Sequence, residues 1–206
     1  MHQTRNETIT KLPIRRKGTK YIARALHAHK NAVPVVIAVR DMLKLAKTLK
    51  EVQHMIKNKA LKINGRVVED YRDSIKLFNI FEADKHYELT LLPTGKFAFK
   101  DTKNSSTRLC KVTGKRLVNA GMIQLNLHDG SNILSKDKIT VGDSLYLDLT
   151  SKIKNHVTLD AGKEVFIFSG KYQGQSGKVQ KIEDNRAYIK FKEGSAVLNK
   201  KQLVAI

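Results

Sequence analysis

Residues 45–68, LAKTLKEVQHMIKNKALKINGRVV, change from the hydrophobic period of a helix to that of a strand within one short stretch. Thr48 followed three positions later by Glu51 is a capping box: the threonine oxygen can accept the Glu51 amide while the carboxylate reaches back over the helix start. Val52, Met55 and Ile56 then fall on one helical face. Lys50 and Lys57, seven positions apart and nearly superposed on a helix, point the other way. Beyond them Leu61, Ile63 and Val67 alternate around Asn64-Gly65, a pair that supplies the positive φ a tight hairpin turn requires. Lys62 faces away from Leu61 and Ile63, so both the helix and the hairpin present a basic side.

Upstream, Pro34 sits where a proline opens a helix. Val35, Val36, Val39, Met42, Leu43 and Ala46 recur at helical spacing, with Arg40, Lys44 and Lys47 on another face. This predicts an amphipathic helix with a basic stripe. Residues 1–33 show neither period and carry 8 bases against 1 acid; Pro13 and Gly18 bracket Arg15-Arg16-Lys17, with Lys20 and Arg24 just beyond. They read as an extended arm that orders on its partner. His27 and His29 lack a third ligand or a carboxylate and make no metal site.

Downstream the runs 77–81, 87–92, 97–99, 108–113, 122–127 and 145–149 are strand-like, punctuated by Pro93-Thr94-Gly95, Gly114, Gly121, Asp129-Gly130 and Gly142-Asp143. The last stretch alternates again over 165–168, 178–182, 187–191 and 203–206, enough for a small, closed or nearly closed β-barrel. The expected fold class is therefore α+β and mostly β. Its parts are an arm over 1–33, a two-helix and hairpin domain over 34–84, a central β domain over 85–158 and a barrel over 159–206.

The 206 residues hold 39 Lys and Arg against 19 Asp and Glu, a net charge of +20. Such a surplus repels itself unless a polyanion neutralises it, and nucleic acid is the commonest such partner. Because every part of the chain is basic, several faces are expected to touch a folded RNA rather than one duplex groove. Cys110 is the lone cysteine, which excludes an internal disulfide and a paired-cysteine zinc site and suits a reducing compartment. No apolar run approaches the roughly 20 residues that span a bilayer, and the N-terminus lacks the apolar core of a secretory signal. The expectation is a soluble intracellular protein with no membrane partner. No glycine-rich cofactor loop occurs, and the adjacent His128-Asp129 would point to opposite faces of a strand. No cofactor, small-molecule substrate or catalytic activity is expected.

The helix pair and hairpin of residues 34–68 resemble the small RNA-binding domain named after bacterial ribosomal protein S4. That resemblance implies a concave basic surface carrying Lys47, Thr48, Lys50, Lys57, Lys62 and Arg66, with Lys44 on the preceding stripe. The segment SGKYQGQSGKV at 169–179 resembles the KOW motif of ribosomal and transcription-elongation proteins, with Lys171 and Lys178 available to phosphates. Taken in order with RKGTKYIAR at 16–24, NLHDGSNI at 126–133 and ITVGDSLYLDL at 139–149, these segments are similar to the small-subunit ribosomal protein S4e family. The ending at Ile206, soon after the barrel, suits its archaeal type. The resemblance implies a structural constituent of the small ribosomal subunit in the cytoplasm. Its partners would be small-subunit ribosomal RNA and neighbouring ribosomal proteins, and Arg15, Arg16, Lys17 and Lys20 would join the RNA contacts. An RNA-modifying enzyme leaves no room for a catalytic domain, and a KOW transcription factor does not explain the first half of the chain.

Overall fold

The computed structural model describes residues 2–28, 30–102, 106–118, 121–191 and 194–206; His29, weighed above as a metal ligand, lies outside them. The chain divides into two units, Met1–Ser105 and Ser106–Ile206. In the first, β1 (His2–Thr4) pairs antiparallel with β2 (Tyr21–Ala23). The loop between them folds around Arg5, whose guanidinium donates to the Thr19 carbonyl (2.9 Å), the Thr19 hydroxyl (3.2 Å) and the Arg15 carbonyl. Gly18 permits this: its φ is +146°, and a Cβ there would lie 2.6 Å from Arg5 Nη2. Leu12, Ile22 and Ala25 are buried, and the Lys11 carbonyl accepts the Phe97 amide at 2.8 Å.

The expected extended arm is thus corrected to a folded segment. It escaped the periodic reading because an irregular loop buries isolated apolar residues instead of one face.

Ala32–Pro34 (β3) pairs with Ser74–Lys76 (β6). Pro34, with φ −70° and ψ 143°, leads into α1 (Val35–Ile37), which loosens at once into a π-type turn over Ala38–Met42. The Leu43 amide reaches the Ala38 carbonyl at 2.9 Å, five residues back. The helix expected here forms only as a short run over residues 35–42, and it is not amphipathic. Val35, Val36, Ile37, Ala38 and Val39 are all buried, and a helix apolar on every side belongs inside. The basic stripe dissolves with it: Arg40 pairs with Asp41 at 2.8 Å, and Lys44 lies in the left-handed region at φ +58°.

Thr48 caps α2 (Leu49–Lys57), which buries Val52 and half-buries Met55 and Ile56. The hairpin of β4 (Lys62–Ile63) and β5 (Arg66–Val67) turns through Asn64 and Gly65 at φ +51° and +80°, the positive pair the sequence required. Ile80–Glu82 (β7), His86–Leu91 (β8) and Phe97–Asp101 (β9) complete a sheet of order β5-β4-β7-β8-β9. Phe78, at φ +61°, shortens the expected strand 77–81: pairing stops at Lys76, the end of β6, and resumes only at Ile80 in β7. The β7–β8 pairing runs across the boundary drawn at 84/85, so residues 86–101 share this sheet.

In the second unit β10 (Thr107–Leu117) is the central strand, followed by β11 (Ile123–Leu127), β12 (Asn132–Ser135), β13 (Ser144–Asp148) and β14 (Ile153–Val157). The antiparallel order is β12-β11-β10-β13-β14. Cys110, Val112, Leu125, Leu127, Leu145 and Leu147 form its core. The remaining strands are β15 (Glu164–Ile167), β16 (Ser176–Glu183), β17 (Arg186–Phe191), β18 (Gly194–Asn199) and β19 (Leu203–Ala205), in the order β18-β17-β16-β15-β19 around Val165, Ile167, Val179, Ile189 and Leu203. Among the described residues β18 and β19 do not pair with each other. With two short α-helices and several antiparallel sheets, the protein is mostly β.

Candidate nucleic-acid interface

The cations expected to meet RNA sit on four local structures. Arg15, Arg16, Lys17 and Lys20 are exposed along the loop gathered by Arg5, so their backbone is held before any ligand arrives. Lys20 Nζ lies 5.4 Å from the centre of the Tyr21 ring, itself half exposed. Lys44 and Lys47 occupy the connection after the π-type turn, and both are exposed.

Thr48 is already engaged at the start of α2. Its oxygen accepts the Glu51 amide at 3.3 Å and its hydroxyl donates to Glu51 Oε1 at 2.9 Å. The other Glu51 oxygen takes the Lys47 amide at 2.8 Å, one residue earlier than a strict capping box. That backbone bond, with the Thr48 hydroxyl behind it, holds the carboxyl below its ordinary range. Thr48 therefore organises the helix that carries Lys50 and Lys57, both exposed.

On the hairpin, Lys62 stands across from Glu82, 3.9 Å from its carboxylate, and Arg66 lies 3.7 Å from Glu69. Both pairs are long and solvated, the kind that contributes about 0–1 kcal/mol and yields readily to a phosphate. Lys171 is exposed in the turn after β15, 5.7 Å from the Tyr172 ring centre. Lys178 on β16 stands directly opposite Lys190 on β17. On its other side Lys178 faces Glu164 of β15, which offsets that like-charge pair, and Lys190 joins the candidate surface as an exposed cation beside it. Sequence reading passed over it because opposition depends on register.

The carboxylates are spent differently. Asp70 takes Arg72 at 2.6 Å, Asp73 accepts the amides of Glu69 and Asp70, and Asp137 and Asp160 bind nearby hydroxyls. Asp143 is buried; burial alone would raise its pKa, but the Thr140 amide and hydroxyl, His156 and the Leu159 amide outweigh that and hold it low. Acids thus tie down turns while most bases face water. The exceptions are Arg108, buried against Asp129, and Lys111, buried among backbone carbonyls. Among the described residues no cluster of His, Cys, Asp and Glu could hold a metal ion, and no helix is long and apolar enough to cross a membrane.

Known proteins resemble this chain in sequence and fold. Residues 83–153 match the family model described as Ribosomal family S4e. Small ribosomal subunit protein eS4 of Methanocaldococcus jannaschii is 31% identical over 189 residues, covering 84% of this chain and 78% of that protein. Its counterpart in Methanocella arvoryzae is 30% identical over 178 residues, covering 83% and 76%. The crystal structure of 30S ribosomal protein S4e from Thermoplasma acidophilum superposes with a TM-score of 0.73 at 26% identity, over 85% of this chain and 95% of that one. With identity at this level spread over most of both chains, and a shared fold, this protein belongs to the ribosomal protein S4e family.

Proposed function

We propose that the protein is a structural constituent of the small ribosomal subunit, in the cytoplasm, where it binds small-subunit ribosomal RNA and touches neighbouring ribosomal proteins. Its role is to hold RNA segments in place; as a member of a ribosomal protein family it is a structural component and not an enzyme. One observation carries the RNA reading. Every cation on the expected surface, from Arg15 to Lys178, is exposed, and of these only Lys62 and Arg66 have a carboxylate within ion-pair range among the described residues. Both units contribute, with 22 bases against 10 acids up to Ser105 and 17 against 9 beyond it. A partner that engages both must be extended and anionic, which favours structured RNA over a single phosphate ligand.

The domain reading follows in the same terms. The α2 and hairpin module of the first unit and the KOW segment of residues 159–206 in the second each offer exposed lysines to the RNA. The test is binding of the full chain to small-subunit ribosomal RNA across a salt series. If about 6–10 phosphates are engaged, affinity should fall by roughly 10³–10⁵ between 50 and 200 mM salt. A nearly flat plot of log K against log salt would sink the proposal.

A further inference from the structure

The first unit contains a cavity of about 450 Å³ that the phosphate-contact reading does not use. It lies beneath the loop between β1 and β2, with Lys96 from the turn before β9 on its rim. Arg5, Arg15, Arg16 and Lys96 bring four positive charges to it, and no carboxylate lines it. The rest of the wall is of two kinds: the aliphatic side chains of Ile9, Leu12 and Ile14, and the uncharged polar groups of Asn6, Thr8 and Thr10.

This combination is more than a backbone phosphate needs. A backbone phosphate is met by cations and hydrogen-bond donors and has no use for an aliphatic wall. A cavity of this size falls in the range of small-ligand sites, which pair apolar walls with a few placed polar groups. Arg5 is held by Thr19 and the Arg15 carbonyl, so the positive charge at the wall is fixed before a ligand enters. Arg15, Arg16 and Lys96 are exposed and free to turn toward a phosphate.

We infer that this cavity receives one unpaired nucleotide of the bound RNA, turned out of its helix, with its base against Ile9, Leu12 and Ile14 and its phosphate on Arg15, Arg16 and Lys96. The inference rests on the RNA-binding role proposed above and adds a preference to it. Asn6, Thr8 and Thr10 offer donors and acceptors to a base edge, and bulged or looped bases are the part of RNA that proteins can read this way.

The experiment compares two RNA hairpins, one fully paired and one carrying a single bulged 2-aminopurine nucleotide, each titrated with the full-length protein. The bulged hairpin should bind about tenfold more tightly, the gain expected of one well-held base, and its fluorescence should change on binding. Thr10→Phe, at an exposed position on the cavity wall, should abolish the difference while leaving the paired hairpin's affinity unchanged. Lys96→Glu, on an exposed turn, should reduce the preference by a route that does not fill the cavity. Equal binding of both hairpins by the unaltered protein, still steeply salt dependent, overturns the cavity while RNA binding stands. Failure to bind either hairpin overturns both readings. Free adenosine 5′-monophosphate should not displace the bulged hairpin at comparable concentration; if it does, the occupant is a free nucleotide and an RNA occupant is overturned.

Discussion

Lys111 Nζ lies 2.7, 3.1 and 2.6 Å from the carbonyl oxygens of Lys200, Lys201 and Leu203. These carbonyls belong to a single 3₁₀ turn, Lys200–Gln202, and the residue after it. The start of the turn is closed by Asn199, which accepts the Lys201 amide, and by Gln202 reaching back to Asn199. The Lys200 carbonyl already accepts the Leu203 amide that closes the turn, so the carbonyls of Lys201 and Leu203 depend most on the ammonium, which has three N–H bonds to give. Burial pushes Lys111 down to about 8, which still leaves it mostly charged at neutral pH. A neutral amine would keep only two N–H bonds for the three carbonyls. Lys111→Met keeps the length of the side chain and removes the donors, so the second unit should lose about 1–3 kcal/mol. The exposed Lys178→Met should stay within about 0.5 kcal/mol. Urea titrations of the two variants against the parent chain measure both, and equal midpoints would show that the buried ammonium does not hold the turn.

At the scale of elements, α2 and the β4–β5 hairpin carry the expected RNA face on a scaffold that does not depend on it. Val52 and Leu61 supply the buried anchors, Thr48 and Glu51 the cap, and Asn64-Gly65 the turn. Changing Lys57, Lys62 and Arg66 together to Ala removes only exposed charge and two long ion pairs of 3.9 and 3.7 Å. RNA affinity in a filter-binding titration should therefore fall, while the melting temperature stays within a degree or two, since exposed substitutions cost no more than about 0.5 kcal/mol each. An unchanged affinity would remove this face from the interface.

These two elements were legible in the sequence because their determinants are local: the cap spans four residues, Thr48 to Glu51, and the hairpin turn two. Among the strands not read from the sequence, β12, β14 and β18 lie at the edges of five-stranded sheets, while β1, β2, β3 and β6 are three-residue pieces too short to show a period. Edge strands keep polar and charged residues on their open side, which breaks the alternation that reveals a central strand. The α1 segment misled for the opposite reason. Its place is set by residues distant in sequence, with the Val35 and Val36 amides reaching the Asp73 and Tyr71 carbonyls at 3.1 and 2.9 Å, and no helical period records them. Lys111 shows the same limit for the candidate site. In sequence it is one more base beside Cys110, and only contact with residues some ninety positions away removes it from the RNA surface.

At the scale of the whole molecule, the N-terminal residues decide whether charge and fold are separable. An arm ordered only by RNA could be removed from the free protein without cost. The structure instead buries Leu12 and Ile22 in the first unit and ties the segment down by backbone and side-chain bonds. The Leu26 amide reaches the Arg72 carbonyl at 3.0 Å, and Ser74 Oγ accepts the His27 amide at 2.9 Å. Two large apolar side chains at about 1.5–3 kcal/mol each make a loss of roughly 3–6 kcal/mol, a large share of the ~5–15 kcal/mol that holds a typical domain. Deleting residues 1–30 should therefore unfold or strongly destabilise the unit ending at Ser105. The unit beginning at Ser106 contains complete cores around Leu125 and Ile189 and should keep its own stability. Hydrogen exchange on the truncated and full chains separates the outcomes, because protection should collapse across β3 to β9 and persist across β10 to β19. Unchanged protection in β7 and β8 would mean that Leu12 and Ile22 cover a core that closes without them. The basic loop would then be the separable, RNA-ordered arm that its sequence first suggested.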